Sequence, residues 1–493
     1  MSWHAFAFTG GYNDALHPSL LDEKTASVLI DAQTETGKLR PVLYDLNVGA
    51  TPEALGHYGS QTRSTVKWYG RWYWSDNYAL TYGSQGDTGL GIPYPESQPT
   101  LEAIAPSGDG LPAGTYRYCI TYMNEHEWEG APGSLTEWET SITLTEARAV
   151  RLTFPETPAG VSWIRVWRTA AEGAEFSLVA RLAATETGYT DELADSLLVM
   201  GESLSSQDNY PPPSGGRYLT ESGGVFYLAV NTPSRTELHF SALGNPHAWP
   251  TLNFIGFGDS ITGIVPEFEG VLVFTRNGAY RVTGADDPDT VVSQGIPGNQ
   301  GCIAWQSISQ LDNMPMWLSA DGLCAWDGES VQVLSLGRVL LRGVVPVAAA
   351  ALDGAYYLFT TEGAIIYDSR SGGIFRRLSS VCDYAWHDTD RDCIFLTRGD
   401  ATYQLNAGRL PRRLTYRTGH VGESELLARR FMELLARVGA ETELKVMVDG
   451  REVLRRTLPP GRSRLKLPDT AVGAYAEIEL QGDGDIEELA LAY

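Results

Sequence analysis

Gly223-Gly224-Val225-Phe226-Tyr227-Leu228-Ala229 is a phrase that the chain repeats. It returns as Glu269-Gly270-Val271-Leu272-Val273-Phe274, as Met316-Trp317-Leu318-Ser319, as Gly354-Ala355-Tyr356-Tyr357-Leu358-Phe359 and as Asp392-Cys393-Ile394-Phe395-Leu396. Each copy is a short β-branched and aromatic run, too short for a helix, and therefore reads as a strand. From Phe226 to Leu272, Met316, Tyr356 and Ile394 the steps are 46, 44, 40 and 38 residues. A step near forty with several strands in it is how a β-propeller blade is written in sequence. The second half of each unit agrees. Arg276-Asn277-Gly278, Ala320-Asp321-Gly322, Glu362-Gly363 and Arg398-Gly399-Asp400 each join the marked strand to another. Gly, Asn and Asp tolerate the positive φ of a tight hairpin turn.

Outward from these blades the pattern changes. Residues 100–204 hold some seven short strands, among them Gly114-Thr115-Tyr116-Arg117-Tyr118-Cys119-Ile120-Thr121-Tyr122 and Ile164-Arg165-Val166-Trp167-Arg168, which predict a fibronectin type III-like β-sandwich inserted between blades. Residues 1–99 are expected to contribute to the propeller, with a strand pair around Lys67-Trp68-Tyr69-Gly70-Arg71-Trp72-Tyr73-Trp74 and another strand over 78–82. The segment 205–216, with Pro211-Pro212-Pro213 and Gly215-Gly216, leads back into blades that extend to 407. Residues 408–493 alternate again around an Asp449-Gly450 hairpin turn and predict a C-terminal β-sandwich module. The fold class is therefore all-β. One stretch, 424–438, places Leu426, Leu427, Arg430, Phe431, Leu434 and Leu435 on an approximate helical face, and reads as a helix or a long strand.

The chain has 493 residues and a formal charge of −24. The excess is confined to the first 400 residues, which hold 23 basic and 47 acidic side chains; residues 401–493 hold 14 of each. An acidic body is a poor nucleic-acid binder, because binding needs cations that displace phosphate counterions. Acidity also favours solubility. The five cysteines, at 119, 302, 324, 382 and 393, are scattered and form no CxxC pair, which points to reduced thiols in a protein made in the cytosol. No signal peptide and no membrane-spanning run are read.

Chemistry is sparse. Asp388, Asp390 and Asp392 alternate like the start of a calcium loop, but the central Gly and the later acidic ligand are absent, and an inter-strand turn is the plainer reading. Ser319-Ala320-Asp321-Gly322 with Trp326 resembles the structural Asp-box turn of sialidase-type propellers. Arg235, Arg276 and Arg281 stand alone in sequence, whereas glycoside chemistry of that kind needs an arginine cluster and paired acids. We therefore expect no catalytic residues, no cofactor, no metal site and no enzymatic activity, and read His247 as a packing residue.

A longer succession resembles a known family. Phe240-Ser241-Ala242-Leu243-Gly244-Asn245-Pro246-His247-Ala248-Trp249-Pro250 is followed by Gly258-Asp259-Ser260-Ile261-Thr262-Gly263 and later by Gly301-Cys302 and Trp317-Leu318-Ser319-Ala320-Asp321-Gly322. This order resembles the tail nozzle proteins of short-tailed bacteriophages, the tail tubular protein B or packaged-DNA stabilisation group. Lys38-Leu39-Arg40-Pro41 and the strands of the insert are similar to parts of the same group. The resemblance covers about two thirds of the chain. It implies a virion tail protein, made in the host cytoplasm, that forms a homo-hexameric ring below the portal and its adaptor and contacts tail fibres. Such a ring retains packaged double-stranded DNA and conducts it during ejection, without sequence recognition. Which residues line the channel is unknown from sequence. Two other readings are a tail-fibre or receptor-binding propeller, in which Trp68, Trp72 and Trp74 stack on sugars, and a sialidase-like glycoside hydrolase.

Overall fold

The computed structural model describes residues 2–493 apart from 36, 78–80, 85–88 and 423–427. It is all-β, and among the described residues the one α-helix is Asp195–Leu198. The chain forms two compact units: residues 1–61, 274–279 and 295–493, and residues 62–273 and 280–294.

In the second of these units the repeated phrase is the inner strand of a meander. Gly216–Ser222, Val225–Asn231, Thr236–Phe240 and Phe254–Gly256 make one four-stranded blade, and Ile261–Glu267, Gly270–Thr275, Ala279–Thr283 and Val292–Ile296 make the next. The turn Gly223-Gly224 has positive φ at both central residues, 62° and 85°, which matches the right-handed twist of the strands it joins. The phrase is apolar at every position because both faces of the strand are covered. Val225, Tyr227 and Ala229 face a core shared with Ile264, Val271 and Val273 of the following blade. Phe226 and Leu228 face the other way, against Val66 and Tyr73 of a preceding sheet formed by Arg63–Trp68, Arg71–Asp76 and Thr81–Ser84. Of the strand expected over 78–82, residues 78–80 lie outside the described residues.

The insert is a seven-stranded sandwich. One sheet orders Thr140–Leu144, Gly114–Met123, Trp163–Thr169 and Phe176–Ala183, and the other Gly188–Asp191, Ala149–Thr153 and Thr100–Ile104. Tyr116, Tyr118, Ile120, Tyr122, Ile164 and Val166 fill its core. Arg168 has no exposed side-chain surface, yet it donates to Asp191 at 2.9 Å and to Asp195 at 2.9 Å, so the buried charge is paired with two carboxylates.

The other unit carries three further blades. Met314–Leu318 and Ala355–Thr360 are inner strands of two of them, and Met316, Leu318, Tyr356 and Leu358 share one core. Phe359, Ile366, Ile394 and Leu396 share another with the last blade, Tyr384–Asp388, Cys393–Arg398 and Ala401–Gln404. The fourth strand of that last blade comes from far away: Leu46–Asn47 pairs with Tyr403 and Gln404. Asp45 fixes the junction. Its carboxylate, 1% exposed, receives Arg412 at 2.9 Å, Arg398, the Ser380 hydroxyl and the Asn406 N–H at 3.1 Å.

The C-terminal module is a sandwich built from both ends of the sequence. One sheet orders Ala32–Glu35, Lys38–Pro41, Ile486–Ala492, Glu433–Val438 and Gly461–Lys466, with Trp3–Ala5 also on Ile486–Ala492. The facing strands Leu414–Thr418, Ala476–Gly482, Thr442–Val448 and Arg451–Leu458 continue, through Ala26–Ile30, the sheet of the preceding blade Pro346–Leu352 to Ile374–Leu378. The helical alternative for 424–438 is corrected here. Residues 423–427 lie outside the described residues, and Glu433–Val438 is strand, with Leu434, Ala436 and Val438 buried at alternate positions. Period-two burial between two neighbouring strands outweighs an approximate helical face.

Candidate interaction surface

The strand pair Arg451–Leu458 and Gly461–Lys466 departs from the charge of its surroundings. Residues 451–466 contain six basic side chains (Arg451, Arg455, Arg456, Arg462, Arg464 and Lys466) and one acidic, Glu452, in a chain of charge −24. Buried Leu458 and Leu467 anchor the two strands, and Pro459-Pro460 carries the chain from one sheet to the other. Each strand is the last of its sheet. Both basic strands therefore lie at sandwich edges.

On Gly461–Lys466 the register places Ser463 and Leu465 opposite Ala436 and Leu434, on the core side. Arg462, Arg464 and Lys466 consequently project from the outer face. Arg462 donates to Glu488 at 3.1 Å, Arg464 donates to Glu433 at 3.0 Å, and the Arg464 guanidinium lies 5.9 Å from the Trp3 ring. Trp3, Arg462, Arg464 and Glu488, with Leu435 and Ala490, line a hollow of about 540 Å³. Trp3 is 42% exposed. On the same sheet Lys38 donates to Glu487 at 2.6 Å, which holds that carboxyl below its usual range. Exposed ion pairs of this kind contribute little to stability. Their larger effect is to hold the arginine forks in place. An aromatic and an aliphatic centre with an arginine rim is the composition of protein interfaces. The local charge count was visible in the sequence; the meeting of Trp3 with Arg464, 461 positions apart, was not.

Other singled-out residues are occupied differently. Asp388 accepts from the backbone of Asp390 and Arg391 at 3.1 and 2.9 Å and pairs with the Arg391 side chain at 2.6 Å, so its oxygens close a turn. Asp392 has φ 50° in that turn. No group of three or more His, Cys, Asp or Glu among the described residues could hold a metal. The Ser319 hydroxyl accepts from Asp321 N–H and donates to Gly322 O, each at 3.1 Å, again a turn. Arg235 and Arg281 have their own partners, Glu237 at 3.4 Å and Glu267 at 2.6 Å. Trp68 packs edge-on to Phe226 at 5.6 Å, while Lys67 covers Trp72 and Arg63 covers Trp74, each at 5.8 Å. All three tryptophans are half-buried against their own chain. His247 is fully buried, accepts from the Gly91 N–H at 3.1 Å and lies between Tyr73 and Trp128.

No family model matches the chain, and no curated protein matches its sequence. Among solved structures it is similar to an exo-β-1,3-galactanase from Phanerochaete chrysosporium, at 9% identity over 91% of this chain and 99% of that one, with a TM-score of 0.21. It is similar to the WD40 domain of Neurospora crassa Pan2, at 10% identity over 65% of this chain and 99% of that one, with a TM-score of 0.27. A third is PorZ, a surface component of the type-IX secretion system of Porphyromonas gingivalis, at 10% identity over 72% and 46%, with a TM-score of 0.26. The expectation of no enzymatic activity is corrected by this: galactanases are glycoside hydrolases, and the fold is one that enzymes also use. The likeness concerns fold alone.

Proposed function

We propose that the chain is a subunit of a ring-shaped tail nozzle of a short-tailed bacteriophage, seated below the portal and adaptor, which retains packaged DNA and conducts it during ejection. The observation that carries this reading is the segregation of charge: an acidic body of blades and insert, and a basic, aromatic-centred edge on a separate sandwich. An acidic wall repels phosphate over about a Debye length, ~8–10 Å at physiological salt, so a duplex would slide past it without adhering. The C-terminal edge is then free to serve neighbours. The family resemblance in the blade and insert phrases supports the same assignment. The test is the mass of the purified assembly by native mass spectrometry, followed by negative-stain images, alone and with a portal–adaptor complex. Rings of about six copies with a central hole are expected. Subunits that stay monomeric with those partners present would sink the reading.

A further inference from the structure

The insert carries a surface that matches the Trp3 hollow. At the end of its short helix and just beyond it, Leu197, Val199 and Met200 stand in solvent at 59%, 66% and 82% exposure, while Leu198 between them is buried. The segment is well fixed: Val199 N–H donates to Asp195 O, Met200 N–H to Leu197 O, Gly201 N–H to Leu198 O, and Leu178 N–H to Glu202 O. An ordered apolar tip of this kind loses little conformational entropy on binding. Its surroundings are acidic. Glu192, Asp195 and Glu202 flank it, and residues 100–204 hold 16 acidic against 6 basic side chains. Asp109, Glu137, Glu156, Glu175 and Glu186 of the insert form no ion pair among the described residues, as Arg451, Arg456 and Lys466 form none on the basic edge.

We propose that the Leu197–Val199–Met200 tip of one copy seats in the hollow of a second copy formed by Trp3, Leu435 and Ala490, with the acidic flank of the insert facing Arg462 and Arg464. This inference rests on the ring reading and specifies its lateral contact. The apolar tip matches Trp3, Leu435 and Ala490, the hollow's lining carries two arginines against one glutamate, Glu488, where the flank of the tip is acidic, and its 540 Å³ lies within the about 300–1,000 Å³ of sites that take up whole groups. The two surfaces are different patches of one chain, so the contact is heterologous and propagates from copy to copy, as a ring requires. On the other edge strand, Arg451–Leu458, Arg456 sits opposite buried Leu444, a charge on the core side that disfavours addition of a foreign strand there. Nucleic acid fits less well, because the centre of the hollow is apolar.

Heterology gives a direct test on the full-length protein by sedimentation velocity and native mass spectrometry. Met200→Glu disables the tip and Arg464→Glu disables the hollow; both positions are on the surface, and circular dichroism checks that each variant is folded. Each alone should weaken self-association by about 30-fold or more, the size of an interface hot spot. Mixed in equal amounts, the two variants still share one intact tip and one intact hollow, so they should form a dimer that grows no further. Rings that persist in both variants would overturn the docking while leaving the ring reading in place. Wild-type chains that remain monomeric with portal and adaptor present would overturn both. Rings that persist while Arg464→Glu loses binding to a DNA duplex would assign the basic edge to nucleic acid and overturn the proposal.

Discussion

His57 shows how one buried side chain sets a pH dependence. Its ring stacks on Trp386 at 4.5 Å with 5° between planes and bonds to the Tyr384 hydroxyl at 3.2 Å. Burial lowers its pKa from 6.5 to about 4, against the opposing pull of Asp388. Between those values the unfolded chain binds a proton that the folded chain refuses. The histidine's contribution is therefore complete above pH 6.5 and is lost as pH falls towards 4, by up to about 3 kcal/mol. Urea unfolding of His57→Gln should lack that part of the slope between pH 6.5 and 4. Asp45 adds a second acid sensitivity. Burial alone would raise its pKa, but hydrogen bonds from Arg398 and Asn406 and the Arg412 charge hold it below the ordinary value. Its contribution is complete above pH ~4 and fades in stronger acid. Asp45→Asn leaves Arg412, 7% exposed, without its countercharge and should cost about 3–5 kcal/mol in a thermal or urea melt. Neither role could be read from composition, since both depend on partners more than 300 positions away.

At the scale of elements, local pattern was informative and distant pairing was not. Val225–Asn231, Gly270–Thr275, Met314–Leu318, Ala355–Thr360 and Cys393–Arg398 fall on the repeated phrase because runs apolar on both faces, closed by Gly, Asn or Asp turns, have few other solutions. Strands of the insert such as Gly114–Met123 were legible from strict alternation and the turns between them. What the sequence hid is the work of residues 26–48, whose strands complete a blade and both sheets of the C-terminal module. No periodicity announces a partner hundreds of residues away. The closing strand is testable through Val48, whose N–H donates to Thr402 O at 3.0 Å. Val48→Pro removes that donor, should cost at least about 1 kcal/mol, and should open the blade to limited proteolysis near residue 404 before the insert is cut.

At the scale of the whole molecule, under the proposed docking, the separation of charge gives association a definite salt response. Attraction between a basic edge and an acidic insert is screened over about 10 Å at 0.1 M salt and about 3 Å at 1 M. Self-association followed by sedimentation should weaken steadily across that range without vanishing, since Trp3, Leu435 and Met200 are indifferent to salt. The sequence disclosed the charge asymmetry but not the hollow, because Trp3 is an isolated aromatic until folding places it beside Ala492 and Arg464. That pairing has a consequence for synthesis. A ribosome makes residue 3 long before residues 464 and 492, so a chain that has emerged only as far as the blades and the insert cannot yet finish this face. Under the proposed docking, the face that receives a neighbour takes shape only after blades and insert have been made, so folding of the C-terminal module comes before self-association.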